Sequence, residues 1–389
     1  MRVLIYTSTF LPHIGGAELA AHHLAQGLVE EGHHVLVVIQ HEAPPDPAGS
    51  YEIKRLKVPW GADRLHLRHT ARRISLLRLF WKWAPDIVHA QISVPCGHDM
   101  KMISVLTRVP WVLTCQGEDI QKCPEISYGC RLDPEQELRI GEAVRGAHGL
   151  IAIGRNIRDE FLSLGAEEEK IHDIPNPIAY EALSKRSATA RHELGLPSDA
   201  PVVLAVGRNH PKKGFRRLLD VAALLRDNGM ILEFVIVGRG CKLLEEYAQR
   251  LGISPQVHLF EEATPAGLAS VGAVPSGSQE IRTFFHAADI FAMPSFVEGL
   301  PLVTVEAMAA GLPVVAYEGP GTEDLLSDKR CGVLVPQGST AQFSNCLARF
   351  SEDADLRRTM GKSAQEFATR FDRRVVAGQH VQLYEQLVN

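Results

Sequence analysis

The chain has 389 residues, of which 45% are hydrophobic and 22% charged, with a net charge of −5. At roughly 100–200 residues per domain this length implies two domains with sizeable cores, and the lack of an overall basic bias argues against a nucleic-acid binder. No apolar run reaches the roughly 18 residues of a membrane span. The opening "MRVLIYTSTFLP" lacks the long apolar core and small-residue cleavage site of a signal peptide and reads as a first strand. The seven cysteines form no C-x-x-C pair; even the nearest to a cluster, Cys115, Cys123 and Cys130, read as free thiols of a reducing cytoplasm.

In chain order, "RVLIYTS" (2–8) is followed by a helical pattern at 17–33 and then "HVLVVIQ" (34–40). Further strands read "DIVHAQ" (86–91), "PWVLTCQ" (110–116) and "GLIAIG" (149–154). These apolar runs are continuous rather than alternating, as in a parallel sheet covered on both faces. "IPNPI" (174–178) and the polar stretch 179–199 interrupt the series and read as a linker. A second series follows: strands at 201–207, 232–238, 256–260, 289–295 and 313–317, with helices at 214–228, 241–251 and up to about 310. The expected fold class is therefore α/β, with one Rossmann-like domain over 1–178 and another over 200–370, and a terminal helix over 371–389 that could pack back on the first domain. Ligands of such sheets sit at the carboxyl ends of the strands, and the default site is a cleft between two facing domains. The Gly-, Ser- and Pro-rich stretch 261–280 reads as a long loop of the functional kind.

Three motifs carry chemistry. "PVVLAVGRNHPKKG" puts Arg208 just past a strand end and Lys213 five residues on, two cations able to face a diphosphate, or to be plain surface charge. "EGLPLVTVEAMAAGLPVVA" (298–316) joins two strands through a short helix, with Pro301 at its first position and Gly311 after its end. The start of that helix carries no acid, so the N–H groups of Leu300, Leu302 and Val303 are expected to be open to a phosphate unless Glu298 folds back on them. On spacing alone, Glu298 as a simple N-cap and Glu306 as a surface acid fit equally well. "FLPHIGGAE" places Gly15 and Gly16 in the first β-to-α loop, without the G-x-G-x-x-G of a dehydrogenase.

With "GGAE" (15–18), "GRNHPKKG" (207–214), "VIVGRG" (235–240) and, above all, the Glu-x7-Glu stretch 298–316, the chain resembles the retaining glycosyltransferases of family 4, which have the GT-B fold of two facing Rossmann-like domains. The resemblance implies a nucleotide-sugar donor held mainly by the C-terminal domain. Arg208 and Lys213 would hold the diphosphate and steady the leaving nucleotide, with the backbone of Gly299, Leu300, Pro301 and Leu302 on the same phosphates. Glu298 would contact the sugar near the reacting carbon, and Glu306 would accept hydrogen bonds from the ribose. Gly15 and Gly16 would let the first loop close over phosphates and acceptor. The family mechanism implies no metal and no cofactor. Asp353-Ala354-Asp355 matches a metal-binding string but sits in "SEDADLRR", an acidic helix start. Many relatives carry a His-Gly pair where this chain has Gln116-Gly117, and Gln116 can hydrogen-bond a sugar hydroxyl but carries no charge. Asp119 is a candidate contact to acceptor or donor, and His89 reads as a satisfied structural histidine.

The expected function is transfer of a hexose or N-acetylhexosamine from a nucleotide-diphosphate sugar, UDP- or GDP-linked, to a hydroxyl of a saccharide or lipid-linked saccharide acceptor in the cytoplasm. A nucleotide-sugar epimerase and an inactive binding protein of the same fold are the rivals. In "RLHLRHTARRISLLRLFWKW" (64–83), Arg64, Arg68, Arg72 and Arg73 share one helical side and Ile74, Leu77, Phe80 and Trp81 another. The apolar side is expected on the sheet, and the arginines read either as a plain solvated face or as a peripheral contact with the inner membrane.

Overall fold

The computed structural model describes residues 1–40, 51–57, 68–263 and 280–389. They divide into two compact units: Met1–Pro177 with Arg373–Asn389, and the described residues from Ile178 to Asp372.

The first unit is built on seven parallel strands: β1 (Arg2–Tyr6), β2 (His34–Ile39), β3 (Glu52–Arg55), β4 (Ile87–Gln91), β5 (Trp111–Thr114), β6 (Gly149–Ala152) and β7 (Ile171–Asp173). Their order is β3-β2-β1-β4-β5-β6-β7, so the order turns back between β1 and β4. Helices α1 (Gly16–Glu30), α2 (Arg68–Trp83), α3 (His98–Thr107) and α4 (Pro134–Gly146) belong to this unit. Continuous apolar runs are the strands buried on both faces: Val3–Tyr6 and all of β4 are buried. The edge strands β3 and β7, reading "EIKR" and "IHD", escaped the sequence reading because half-exposed edges need no apolar run.

The second unit has β8 (Val202–Val206), β9 (Glu233–Val237), β10 (Val257–Phe260), β11 (Ile290–Met293), β12 (Val314–Tyr317) and β13 (Gly332–Val335). These six parallel strands run in the order β10-β9-β8-β11-β12-β13, turning back between β8 and β11. Helices α5 (Phe215–Asp227), α6 (Leu302–Ala309), α7 (Thr340–Glu352) and α8 (Ala354–Ala368) belong here. Phe343, Leu347 and Phe350 of α7 join Leu218, Ala222 and Leu225 of α5 in the core. Residues 179–199, read from the sequence as a linker, are packed into this unit. Short helices Tyr180–Ser184 and Ala190–Glu193 bury Leu183 and Ala190. Arg191 pairs with Asp289 and donates Nε–H to the Ala287 carbonyl at 3.0 Å. Two apolar anchors and one well-used guanidinium are enough to dock a segment whose composition looks solvated. Of the 261–280 loop, 264–279 lie outside the described residues, and Glu261 accepts the Gly240 N–H at 2.6 Å.

Helix α9 (Arg373–Val388) belongs to the first unit and packs on α1. A Cβ on Gly27 would meet the Arg373 carbonyl oxygen at 2.5 Å, so glycine permits the close approach. Arg373 and Arg374 both pair with Glu30 at the end of α1, at 2.7 and 3.0 Å.

Helix α2 departs from the expected orientation. Residues 64–67 and the side chain of Arg68 lie outside the described residues. Arg72 is buried and Arg73 half-buried, both bound to the buried Asp99, rather than free for a lipid surface. Leu76, Leu79 and Phe80 are buried, whereas Trp81 is 79% and Ile74 44% exposed. A buried carboxylate needs its counterions, and Asp99 turns the arginines inward.

Candidate active site

Ligands of open parallel sheets gather at the carboxyl edge where the strand order reverses. In the second unit that point lies between β8 and β11, and the loops after these two strands carry the charged motif residues. After β8, Gly207 donates its N–H to Val237 at 2.8 Å, and Asn209 donates to Arg239 at 2.8 Å. A 3-10 turn, Pro211–Lys213, then leads to Gly214, whose φ of +66° lies in the left-handed region. A Cβ there would overlap the Pro294 carbonyl oxygen, so glycine alone lets this loop press against the one after β11. The Phe296 N–H closes the contact on the Lys212 carbonyl at 2.8 Å.

This contact brings together charges far apart in sequence. Lys213 Nζ donates to Glu298 Oε1 at 2.7 Å, and Lys212 Nζ lies 3.5 Å from Oε2. Glu298 is only 6% exposed. Burial by itself would push its carboxyl up, but Lys213 and Lys212 together hold it below the ordinary value, so it is ionised. Two ammoniums around one carboxylate leave one positive charge in surplus. Arg208 adds another: it is exposed and its side chain has no ion pair or hydrogen-bond partner among the described residues. Lys212 was missed in the sequence reading, although the doubled lysine of "HPKKG" is a visible signal.

Helix α6 begins one residue later than expected. Pro301 is its N-cap, with φ −74° and ψ 91°, rather than its first helical residue. No side chain caps it and no acid stands in its first turn, so Glu298 is not the N-cap. Among the described residues, the N–H groups of Gly299, Leu300, Leu302 and Val303 have no hydrogen-bond acceptor. A row of open amides at a helix start is an anion site. Gly321, at φ +82°, packs against the carbonyls of Glu298 and Gly299 and fixes the turn from the far side. At the other end of the helix, Gly311 takes the left-handed position expected of it, with φ +78°.

Glu306 lies one turn into α6, about 6 Å along its axis. It is not a surface acid: it is 6% exposed and its side chain has no ion-pair or hydrogen-bond partner among the described residues. Burial pushes its carboxyl up to about 8. Thr304 Oγ1, two residues earlier, is also buried without a partner. Because Glu298 is in the loop, helical spacing does not govern the separation of the two acids.

In the first unit, Gly15 is the N-cap of α1 and Gly16 its first residue. Glu18 lies over them: its Oε2 would meet a Cβ on Gly15 at 2.5 Å, and its Oε1 accepts the Thr9 hydroxyl at 2.6 Å. Gln116, after β5, donates to Gln91 Oε1 at 2.8 Å and accepts from Asn176 Nδ2 at 2.7 Å, forming a neutral amide chain. Asp119 anchors the loop after β5. Its carboxylate accepts the N–H groups of Ser93 at 2.9 Å, Gln116 at 2.7 Å and Gly117 at 3.1 Å. With both oxygens used on backbone, its part is to hold the Gln116 loop. His89 is the satisfied structural residue expected, between the Tyr384 hydroxyl at 2.7 Å and Thr114 Oγ1 at 2.6 Å. Asp353 accepts the Leu356 N–H at 2.8 Å as the N-cap of α8, consistent with a helix start rather than a metal ligand. Among the described residues no group of three His, Cys, Asp or Glu is placed to hold a metal ion.

Two family models match: "Glycosyltransferase Family 4" over residues 14–181 and "Glycosyl transferases group 1" over 187–367. The D-inositol 3-phosphate glycosyltransferase of Streptomyces bingchenggensis is 30% identical over 302 residues, covering 74% of this chain and 63% of that protein. The chain spans about three fifths of the length of the first curated relatives it matches. Among solved structures, Anabaena HepE in complex with UDP superposes with a TM-score of 0.80 at 21% identity over 100% of both chains. Sucrose-phosphate synthase from Thermosynechococcus elongatus gives 0.80 at 19%, over 100% of this chain and 99% of that one. These likenesses bear out the GT-B fold, and with the paired family matches the chain belongs to the family 4, group 1 glycosyltransferases.

Proposed function

We propose that this glycosyltransferase moves a hexosyl or N-acetylhexosaminyl group from a nucleotide-diphosphate sugar to a hydroxyl acceptor, with retention and without a metal. The observation that carries this reading is the Lys212–Lys213–Glu298 cluster beside the open amides of α6. As the bond from the anomeric carbon to the diphosphate oxygen breaks, its electron pair stays on the diphosphate. Lys213, Lys212, Arg208 and the amides of Gly299, Leu300 and Leu302 meet that growing charge in fixed positions. The acceptor oxygen attacks the same face, and its proton passes to the departing phosphate oxygen. Glu298 stays ionised beside the sugar, where it offsets oxocarbenium character, and it does not serve as a proton donor. Glu306 and the unpartnered Thr304 hydroxyl offer acceptors to the ribose. Complexes of HepE with UDP and with UDP-glucose support a uridine donor.

The test is nucleotide release from UDP-, GDP- and ADP-sugars, with and without candidate acceptors, followed by the anomeric configuration of the product by NMR. Acceptor-dependent release, retained configuration and full activity in EDTA are expected. Acceptor-independent isomerisation of the sugar would indicate an epimerase, and no release with any donor would overturn the transferase reading.

Among the described residues no helix is long and apolar enough to cross a membrane. We also propose a peripheral contact with anionic lipid through the outer side of α2, where exposed Trp81 and Ile74 stand with Arg78 and Lys82. Loss of sedimentation with phosphatidylglycerol vesicles in Trp81→Ser is the expected result, and unchanged sedimentation would refute it.

A further inference from the structure

A hydrogen-bonded chain runs through the first unit from its terminal helix to the loop after β5. The Tyr384 hydroxyl of α9 lies 2.7 Å from His89 Nδ1, and Gln91 Nε2 lies 3.2 Å from His89 Nε2. Gln116 donates to Gln91 Oε1 at 2.8 Å, and Asn176 donates to Gln116 Oε1 at 2.7 Å. Tyr384, His89, Gln91 and Asn176 are buried, and Gln116 alone is partly exposed. It stands just past the carboxyl end of β5, on the edge of the sheet where ligands gather. The chain therefore has one end within reach of a ligand.

Every link is neutral. Burial first, and then His380, hold the His89 ring well below the ordinary imidazole range. His380, stacked on it with ring centroids 5.4 Å apart, is itself pushed down to about 4 by burial. An uncharged imidazole donates at one nitrogen and accepts at the other, so the ring carries a direction and no charge. A side-chain amide also donates at one end and accepts at the other. Once the ring proton is placed, each amide down the chain has one orientation that pairs. The Gln91 N–H meets Nε2, so Nε2 accepts and the proton sits on Nδ1, donated to the Tyr384 oxygen. The Thr114 hydroxyl, 2.6 Å from Nε2, donates to the same nitrogen. Gln91 then turns its oxygen to Gln116, and Gln116 turns its nitrogen to Gln91. The Gln116 oxygen keeps a second lone pair beyond the Asn176 bond, and its remaining N–H has only a long contact with Asn176 Oδ1, at 3.5 Å. With the ring proton on Nε2 the chain would run the other way, and Gln116 would exchange its oxygen and nitrogen. Asp119 fixes the backbone of this loop and leaves the orientation of the amide to the chain.

We propose that His89, held by Tyr384 of the terminal helix, is a positioning residue for the transfer: through Gln91 it fixes which end of the Gln116 amide faces the reacting sugar. The direction of the chain stands on its own geometry, and its part in the transfer rests on the transferase reading.

Tyr384→Phe removes the acceptor of the Nδ1 proton and little else. An unpaired buried N–H costs more than an unpaired ring nitrogen, so the proton should move to Nε2 and the chain should reverse. Proton–nitrogen NMR spectra of the full chain, labelled in histidine and glutamine, read this directly. Expected are an Nδ1–H ring for His89 in the wild type, an Nε2–H ring in Tyr384→Phe, and a shift of the Gln116 side-chain amide signal between the two. Kinetics use whichever of the UDP-, GDP- and ADP-sugars gives nucleotide release. Tyr384→Phe and Gln116→Ala should each lower kcat by about tenfold, the size of one lost hydrogen bond, with the donor KM changed by less than about threefold. Added to Gln116→Ala, Tyr384→Phe should cause no further loss, whereas a merely structural effect would multiply. Gln91→Met, which breaks the chain one link from the ring, should give the same losses and serves if Tyr384→Phe does not fold. An Nε2–H ring in the wild type, or a Gln116 signal unmoved by Tyr384→Phe, would overturn the chain. An unchanged kcat in the single variants, or losses that multiply in the double variant, would overturn the positioning role. Absence of release by the wild type with any donor would remove the transferase reading, and the positioning role with it, while leaving the NMR result to stand.

Discussion

Replacing Glu306 by Gln tests the buried, unpartnered acid directly. An unfolded chain releases this proton near 4.5, whereas the folded protein holds it to about 8. Between these values the folded state binds more protons than the unfolded state, so stability falls as pH rises. The full contribution is present below 4.5 and is lost as pH rises through about 8. At about 1.4 kcal/mol per pH unit, holding the proton up to pH 7 destabilises the wild type by roughly 3 kcal/mol relative to a side chain that cannot ionise. Incomplete desolvation and the amide's own need for partners bring the expected gain of Glu306→Gln to roughly 1–3 kcal/mol at pH 7. The gain should vanish near 4.5. Scanning calorimetry of both proteins from pH 4.5 to 8.5 reads this directly. A ligand gives the second readout. If ribose hydroxyls donate to the carboxylate, UDP binding should release about 0.9 proton at pH 7, where a group at about 8 is still mostly protonated. Titrations in buffers of different ionisation enthalpy measure that number. A pH-independent difference in melting between the two proteins, together with no proton release, would refute the reasoning.

Lys213→Ala should lower kcat by roughly 10²–10³-fold while donor affinity changes by less than about tenfold, because the charge it meets develops in the transition state; an unchanged kcat would remove its leaving-group role. In a double-mutant cycle, Lys213→Ala and Glu298→Gln together should cost less than the sum of the single changes, since the 2.7 Å ion pair is lost only once; strict additivity would count against the pair. Gly214→Ala must both adopt the left-handed region and displace the Pro294 carbonyl, so a loss of roughly 2–4 kcal/mol is expected, read as a drop of about 5–10 °C in Tm. A change within 2 °C would show that the two loops are not pressed together.

Much of the fold was legible because buried parallel strands leave a direct mark: "RVLIY" and "IVHAQ" must be apolar throughout when helices cover both faces. The edge strands "EIKR" and "IHD" left none, since one side faces solvent. The open start of α6 was legible too, because a missing first-turn acid is a local property of "LPLVTV". Orientation was less so. The arginines of α2 read as a solvated face, and only the position of Asp99, on another helix, shows that they turn inward. In the same way, only the tertiary structure shows that Asp119, a candidate contact to acceptor or donor, holds three backbone N–H groups with its oxygens.

The sequence by itself determined the α/β class, the two series of strands and the residues on which the donor chemistry would rest. It could do so because strand burial, glycine turns and helix starts depend on neighbours a few residues away. Tertiary structure alone decided that Glu298, 85 residues from Lys213, is held ionised by two lysines while Glu306 is left alone near a neutral pKa. The two acids differ because the side-by-side pairing of β8 and β11 brings the lysine loop against the first, and none of the described residues brings a cation to the second.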